Sequence, residues 1–245
     1  MARFFIDKED IQGDLLRVRE DAHHILHVLR MRIGDEITLC DGEGTDYLSR
    51  IEGIEEDTLL CRAYDRRRAE TEPETELTLY QGLPKGDKME QIVEKCVETG
   101  IGRIVPVQMK RSVSRPEGRK AQSKTERWNK ISRAAAKQSQ RGRIPQVEEP
   151  VSMAECLRRV KEYDLMLVFY EGEREHSLRQ VLKSVERPKK AAILIGPEGG
   201  LEAEEVEALL RAGAKTAGLG ARILRTETAG PVATALLLYE WEQMG

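Results

Sequence analysis

A chain of 245 residues is long enough to bury a core and to hold one or two domains. Its formal charge of −3, the absence of any apolar run near the ~20 residues of a membrane span, and four scattered cysteines without a C-x-x-C pair exclude a uniformly basic chain, a spanning helix, a zinc ribbon and a redox pair. Free thiols at Cys40, Cys61, Cys96 and Cys156, with no secretory pattern at the start, predict a cytoplasmic protein with no membrane partner.

The first 70 residues read as short strands separated by turns: Arg3–Ile6, Leu15–Val18, Glu36–Cys40, Tyr47–Ile54 and Thr58–Tyr64, with Asp41-Gly42-Glu43-Gly44 as a turn. A helix-like run, Asp21–Arg30, carries Ile25, Leu26 and Leu29. Together these predict a small β-rich domain over 1–70. The charged stretch Arg66–Glu76, which contains Pro73, reads as a connection, with the linker at 71–76.

From residue 77 to 245 the pattern changes to strand–helix alternation. Leu77–Gln81 predicts a strand, and Asp87–Thr99 a helix with Met89, Ile92, Val93, Cys96 and Val97 on one face and Gly100 as its stop. Arg103–Gln108 is the next strand and Thr125–Gln138 the next helix, with Trp128 on its apolar side. Leu165–Phe169 and Ala191–Ile195 are continuous apolar runs of buried-strand length. Glu202–Ala212 predicts an acidic amphipathic helix. Ala229–Trp241 is apolar nearly all round, so it is expected to be buried on both faces, in a core or a subunit interface. The class is α/β, a mostly parallel sheet with helices on both faces, joined to the small β-rich domain.

Charge is unevenly spread. Between Val107 and Pro145 twelve Lys or Arg face two acids, Glu117 and Glu126, a net +10 that leaves −13 for the rest of the chain. Such a block suits an anionic surface, nucleic acid first; the plain alternative is a solvated helix face. His23 and His27 have i,i+4 spacing but no evident third ligand, so no metal site is expected. Trp128 and Trp241 sit at apolar helical positions and are expected in the core.

Three turns end strands in the second domain: Tyr170-Glu171-Gly172, Ile195-Gly196-Pro197-Glu198-Gly199-Gly200, and Leu219-Gly220-Ala221-Arg222-Ile223-Leu224-Arg225. In a parallel sheet they would lie along one edge, where open α/β sheets bind ligands. Neither G-x-G-x-x-G nor G-x-x-x-x-G-K-[ST] occurs, which removes support for dinucleotide and P-loop readings. What remains is a glycine-rich, backbone-lined pocket with Arg225 as its cation.

Leu83-Pro84-Lys85-Gly86-Asp87-Lys88-Met89-Glu90, Arg111-Ser112-Val113, Gln138-Ser139, Ile195–Gly200 and Leu219–Ala229 occur in this order, and together they resemble the SPOUT superfamily of RNA methyltransferases. Within it they closely resemble the bacterial 16S rRNA (uracil(1498)-N3)-methyltransferase family. His23-His24-Ile25-Leu26-His27-Val28-Leu29-Arg30 followed by Gly34-Asp35 is similar to that family's PUA-like RNA-binding β-barrel. The resemblance covers essentially the whole chain.

It implies a trefoil knot in the second domain, S-adenosylmethionine as cofactor, a homodimer built on the C-terminal helix, and 16S rRNA of the small ribosomal subunit as substrate. Carried onto this sequence, it implies a cofactor site at Tyr170, Glu171, Gly172, Ile195, Gly196, Pro197, Gly199, Gly200, Leu219, Gly220, Ile223 and Leu224. Arg225, Glu227 and Glu198 are the candidate catalytic residues, with either glutamate as base and Arg225 against a uracil oxygen. Candidate RNA contacts are Arg30, Arg32, Lys85, Arg111, Arg115, Arg127, Gln138, Ser139, Arg141 and Arg143. Lys137 stands where the family often has an acid, so that acid's role has no counterpart here. Uracil methylation at carbon needs a cysteine nucleophile, and the cysteines lie outside the three turns, which favours transfer to nitrogen or oxygen. The rivals are a SPOUT ribose 2′-O-methyltransferase and a non-catalytic rRNA-binding or ribosome-assembly factor.

Overall fold

Alternating buried and exposed side chains along the early strands demand a sheet with one covered face. A computed structural model describes residues 3–244. The chain divides into two units, Met1–Glu72 with Ala136–Ile144, and Pro73–Ala135 with Pro145–Gly245.

In the first unit the strands are β1 (Arg3–Phe5), β2 (Ile11–Gln12), β3 (Leu15–Val18), β4 (Glu36–Cys40), β5 (Thr45–Glu55) and β6 (Thr58–Arg68), in sheet order β1-β4-β5-β6-β3-β2. Only the β1–β4 pair in this sheet is parallel. Register shifts at Leu48/Ser49 and Ile51/Gly53 bend the long β5–β6 hairpin, so the sheet curls into a PUA-like half-barrel. Its concave side packs Phe4, Leu16, Ile25, Leu39, Ile51 and Leu59. Arg66–Arg68, expected in the connection, complete β6 by pairing with Thr45–Tyr47. The expected helix Asp21–Arg30 shrinks to a wide turn over His24–Val28, closed by Leu29 N–H donating to His24 O. Its apolar stripe is too short: Ile25 is buried, but Leu29 is 42% exposed.

The segment Ala136–Ile144 belongs to this unit through a buried ion pair. Arg141 Nη2 lies 2.6 Å from Glu72 Oε2, with the side chains 4% and 7% exposed. Glu72 also accepts the amide N–H groups of Gly142 and Arg143. Burial raises the Glu72 carboxyl, but Arg141 and those amides outweigh it and hold it below the ordinary carboxylate range. Removing one partner of such a pair costs about 3–5 kcal/mol. Lys137 pairs with Asp21.

The second unit holds β7 (Glu76–Gly82), α1 (Lys88–Glu98), β8 (Arg103–Gln108), α2 (Arg119–Gln138, its last turn in the first unit), β9 (Gln146–Val147), β10 (Val151–Ser152), α3 (Met153–Arg159), β11 (Leu165–Phe169), α4 (Leu178–Lys183), β12 (Lys190–Ile195), α5 (Ala203–Ala212), β13 (Lys215–Ala217) and α6 (Thr226–Glu240). The sheet order is β10-β8-β7-β12-β11-β13, with β9 also on β8. Every pairing is parallel. Strands buried on both faces read as continuous apolar runs, as Leu165–Phe169 does. Tyr80, Val105, Val168 and Leu194 pack under α3 and α5 with Cys156, Val206 and Leu209. On the opposite face Leu79 and Cys96 of α1 both approach Gly230 of α6. Trp128 and Trp241 are buried, as expected.

Two helices differ from expectation. Helix α2 begins six residues early, at Arg119, where Ala121 adds a buried contact. Helix α6 begins at Thr226 and covers only one side: Ala229, Ala233, Leu237 and Leu238 are buried, whereas Leu236 is 44% and Tyr239 73% exposed. The short elements β2, β9, β10, β13, α3 and α4 carry too few periodic residues to stand out in the sequence.

Candidate active site

Three strands end at one level. In register, Phe169 of β11 pairs with Ile195 of β12 on one side and with Ala217 of β13 on the other. The three turns foreseen from the sequence therefore leave the same edge of the sheet. They enclose a cavity of about 460 Å³, within the range of small-molecule sites.

The first wall is the turn after β12. Gly200 sits at φ +71°, and a Cβ there would lie 2.3 Å from the Glu171 carboxylate, so the two turns touch as only glycine allows. The Gly196 carbonyl accepts from Thr226 Oγ1 at 2.7 Å, and that hydroxyl accepts from the buried amide of Gln81 at 2.9 Å. Arg111 Nη1 donates to Gly199 O at 2.7 Å, and its Nε to Glu202 at 2.9 Å.

The second wall is the loop after β13, Gly218–Arg225, which runs into α6. The third is the loop after β11. There Glu173 accepts the amide N–H groups of Glu175 and His176 at 2.7 and 2.9 Å.

At the floor, Lys88 Nζ lies 3.0 Å from Glu198 Oε1 and 3.4 Å from Glu227 Oε2. Burial raises the Glu198 carboxyl, yet backbone N–H groups and Lys88 carry it below the ordinary range. Glu198 raises Lys88, which stays an ammonium.

Residues 71–238 match the family described as "RNA methyltransferase domain", and residues 19–64 match "RNA methyltransferase PUA domain". The Bacillus subtilis protein named Ribosomal RNA small subunit methyltransferase E is 35% identical, over 99% of this chain and 98% of its own length. The chain belongs to the ribosomal RNA small subunit methyltransferase E family. It is an rRNA methyltransferase with an N-terminal PUA domain. The Mycobacterium tuberculosis member is 31% identical over 98% of this chain and 93% of its own length. The crystal structure of the Neisseria gonorrhoeae member bound to S-adenosyl methionine superposes with a TM-score of 0.81 at 29% identity, covering 98% of each chain. A Legionella pneumophila methyltransferase in complex with the same cofactor gives 0.80 at 28% identity, covering 98% of this chain and 97% of that one.

The residues that the family resemblance singled out fall into three groups. Tyr170, Glu171, Ile195, Gly196, Pro197, Gly200, Leu219, Gly220, Ile223 and Leu224 line the cavity together with Glu198, Arg225 and Glu227. Gly172 and Gly199 lie outside its lining: the first packs under the Tyr170 ring and the second against the Arg111 side chain. Among the basic residues, Arg30, Arg32, Lys85, Arg115 and Arg143 are exposed, as is Gln138. Arg127 is exposed but paired with Glu90 at 2.8 Å. Ser139 is half-buried. Arg141 is not an RNA contact, because its guanidinium is buried on Glu72. Arg111 is first of all a clamp on the turn after β12.

Lys88 lies inside the motif Leu83–Glu90, where the sequence alone assigns it no role. One signal was present: a cation at the first position of a helix meets the positive end of its dipole, an unfavourable place unless anions stand beside it. Gln81 was hidden because it reads as one more residue of a buried strand.

Proposed function

We propose that this chain transfers a methyl group from S-adenosylmethionine to N3 of a single uridine of 16S rRNA, the 1498 position that the family resemblance implies. The observation that carries the reading is the cavity formed where β11, β12 and β13 end in register. Its walls suit this cofactor: apolar side chains such as Phe169, Ile195 and Leu219 alternate with exposed backbone, and Glu171, Glu173, Glu198 and Glu227 complement a cation. When bound, the cofactor supplies an electrophilic methyl group on a sulfonium. The chain holds it against the turns after β11 and β12. Arg225 would stabilise negative charge on a uracil oxygen.

Burial pushes Cys40, Cys61 and Cys156 up to about 12, and Cys96 higher still, so no thiolate nucleophile is at hand. Transfer to nitrogen needs none.

Exposed Arg30 and Arg32 on the first unit, and Lys85 and Arg115 on the second, would grip rRNA phosphates. The open side of α6, with Leu236 and Tyr239, would be covered by a second copy of the chain. No helix among the described residues is long and apolar enough to cross a membrane, and the enzyme would work where ribosomes are assembled, in the cytoplasm.

The test is incubation with labelled cofactor and small subunits that lack the modification, followed by nucleoside analysis. 3-Methyluridine at one position is expected. A 2′-O-methylated nucleoside would replace the proposed target with ribose. RNA binding with neither cofactor binding nor label would leave a silent assembly factor.

A further inference from the structure

We infer that Lys88 is a positioning residue for the methyl transfer: anchored by Glu198, it sets its ammonium charge against the Glu227 carboxylate, the acceptor of the uracil N3 proton. This rests on the uridine-N3 reading above and assigns roles to two carboxylates that the sequence left equivalent.

The two acids are not equivalent in their surroundings. Both Glu198 oxygens face the Lys85 amide N–H, at 3.1 and 3.3 Å, and Oε1 also takes the Lys88 ammonium at 3.0 Å. Both its oxygens are thus engaged by the chain. Glu227 Oε2 is buried, accepts no well-aligned hydrogen bond, and meets the Lys88 charge at 3.4 Å. Glu227 Oε1 stands 3.9 Å from the Arg225 guanidinium. Acids and cations thus alternate along the cavity lining as Glu198, Lys88, Glu227 and Arg225, and Glu227 Oε2 is left with the Lys88 charge and no hydrogen bond.

The remaining charged groups of the lining are Glu171, Glu173 and Arg174 on the loop after β11 and Arg222 on the loop after β13. Without Lys88, Glu198 and Glu227 would share one cavity with no cation between them. Like charges so placed resist ionising together, and one would take up a proton.

The step balances. The N3–H bond breaks and its proton passes to Glu227. The N3 electron pair forms the bond to the methyl carbon as that carbon's bond to sulfur breaks, the pair staying on sulfur. A sulfonium and a carboxylate become a neutral thioether and a neutral acid. Glu227 then gives its proton to water.

Three forms are compared, wild type, Lys88→Met and Lys88→Arg, with Lys88→Gln in reserve should the methionine variant melt early. Each is assayed for cofactor binding by calorimetry and for kcat/KM on undermodified small subunits between about pH 5 and pH 9. In Lys88→Met the acid limb is expected to move up by about one unit, roughly tenfold in rate on that limb. The deficit should shrink toward high pH, cofactor affinity should hold within about threefold, and Lys88→Arg should restore most of the rate. A deficit equal at every pH would make Lys88 merely structural, and lost cofactor binding would make it a cofactor ligand; either overturns the inference. Wild type yielding a nucleoside other than 3-methyluridine overturns the target reading whatever the variants do. 3-Methyluridine with an unmoved limb overturns the Lys88 inference alone.

Discussion

The two glycine turns that face each other across the cavity are built by opposite means. The turn after β12 is tied from every side: Thr226 and Arg111 donate to its carbonyls, Gly200 N–H bonds back to Pro197 O, and Leu201 beyond it is 2% exposed. The turn after β13 is open, with Ala221 and Arg222 exposed, Ile223 80% exposed, and the Arg225 side chain 83% exposed. The first wall is in place before anything binds, so little ordering is left to do on binding. The second wall has its working side chains in solvent and finds their partners in the ligand and the target base. A rigid wall suits the cofactor, which is common to every turnover; an open one suits a nucleotide that must enter and leave.

The sharpest break of this comparison is Arg225→Ala. If the open turn serves the base, kcat should fall about 10²–10³-fold, near 3 kcal/mol of transition-state stabilisation. Melting temperature and cofactor affinity should stay put, because the guanidinium touches little. A fall in cofactor affinity measured by calorimetry, with kcat at saturation unchanged, would show that Arg225 serves the cofactor and not the base. Arg111→Met probes the tied wall. It removes the bonds to Gly199 and Glu202. It should weaken cofactor binding about tenfold, near 1.4 kcal/mol, and lower the melting temperature by a few degrees. If instead only the salt dependence of RNA binding changes, Arg111 is a phosphate contact and the turn stands without it.

Much of this was readable beforehand. Continuous apolar runs such as Leu165–Phe169 can be satisfied only between two layers, so the buried parallel sheet and its edge were legible. The cavity-lining turns followed, because glycine and charge at strand ends have few other uses. What was not legible depends on pairs distant in sequence. Arg141 looked like any other base in a basic block, and only its meeting with Glu72 removes it from the surface. Lys88, Glu198 and Glu227 lie on three different elements, and their spacing in the chain carries no trace of the 3.0 and 3.4 Å contacts. The last helix is decided by a related kind of meeting: apolar residues all round it allow a core or a subunit interface, and within this chain one side is covered.

The third wall is the smallest and most selective probe of the contrast, because one carboxylate, Glu173, caps two amides of the loop after β11. The Thr216 hydroxyl, against an opposing effect of burial, and the His176 and Glu175 amides take the Glu173 carboxyl from its ordinary 4.5 to about 2. The folded value lies below the free one, so this stabilisation is whole above pH 4.5 and fades as the pH drops toward 2. Glu173→Gln keeps the shape and loses the charge, and should lower stability by about 1.5 kcal/mol at neutral pH. Thermal melts of the two forms should differ by a constant amount from about pH 8 to pH 5 and converge below that. His176 Nδ1 stands 3.3 Å from the same carboxylate, and histidine changes charge between about pH 5 and pH 8. A gap that already widens across that interval as pH falls would assign the loop to the ion pair with His176 and not to the amides. The third wall would then be a pH-dependent one, unlike either glycine turn.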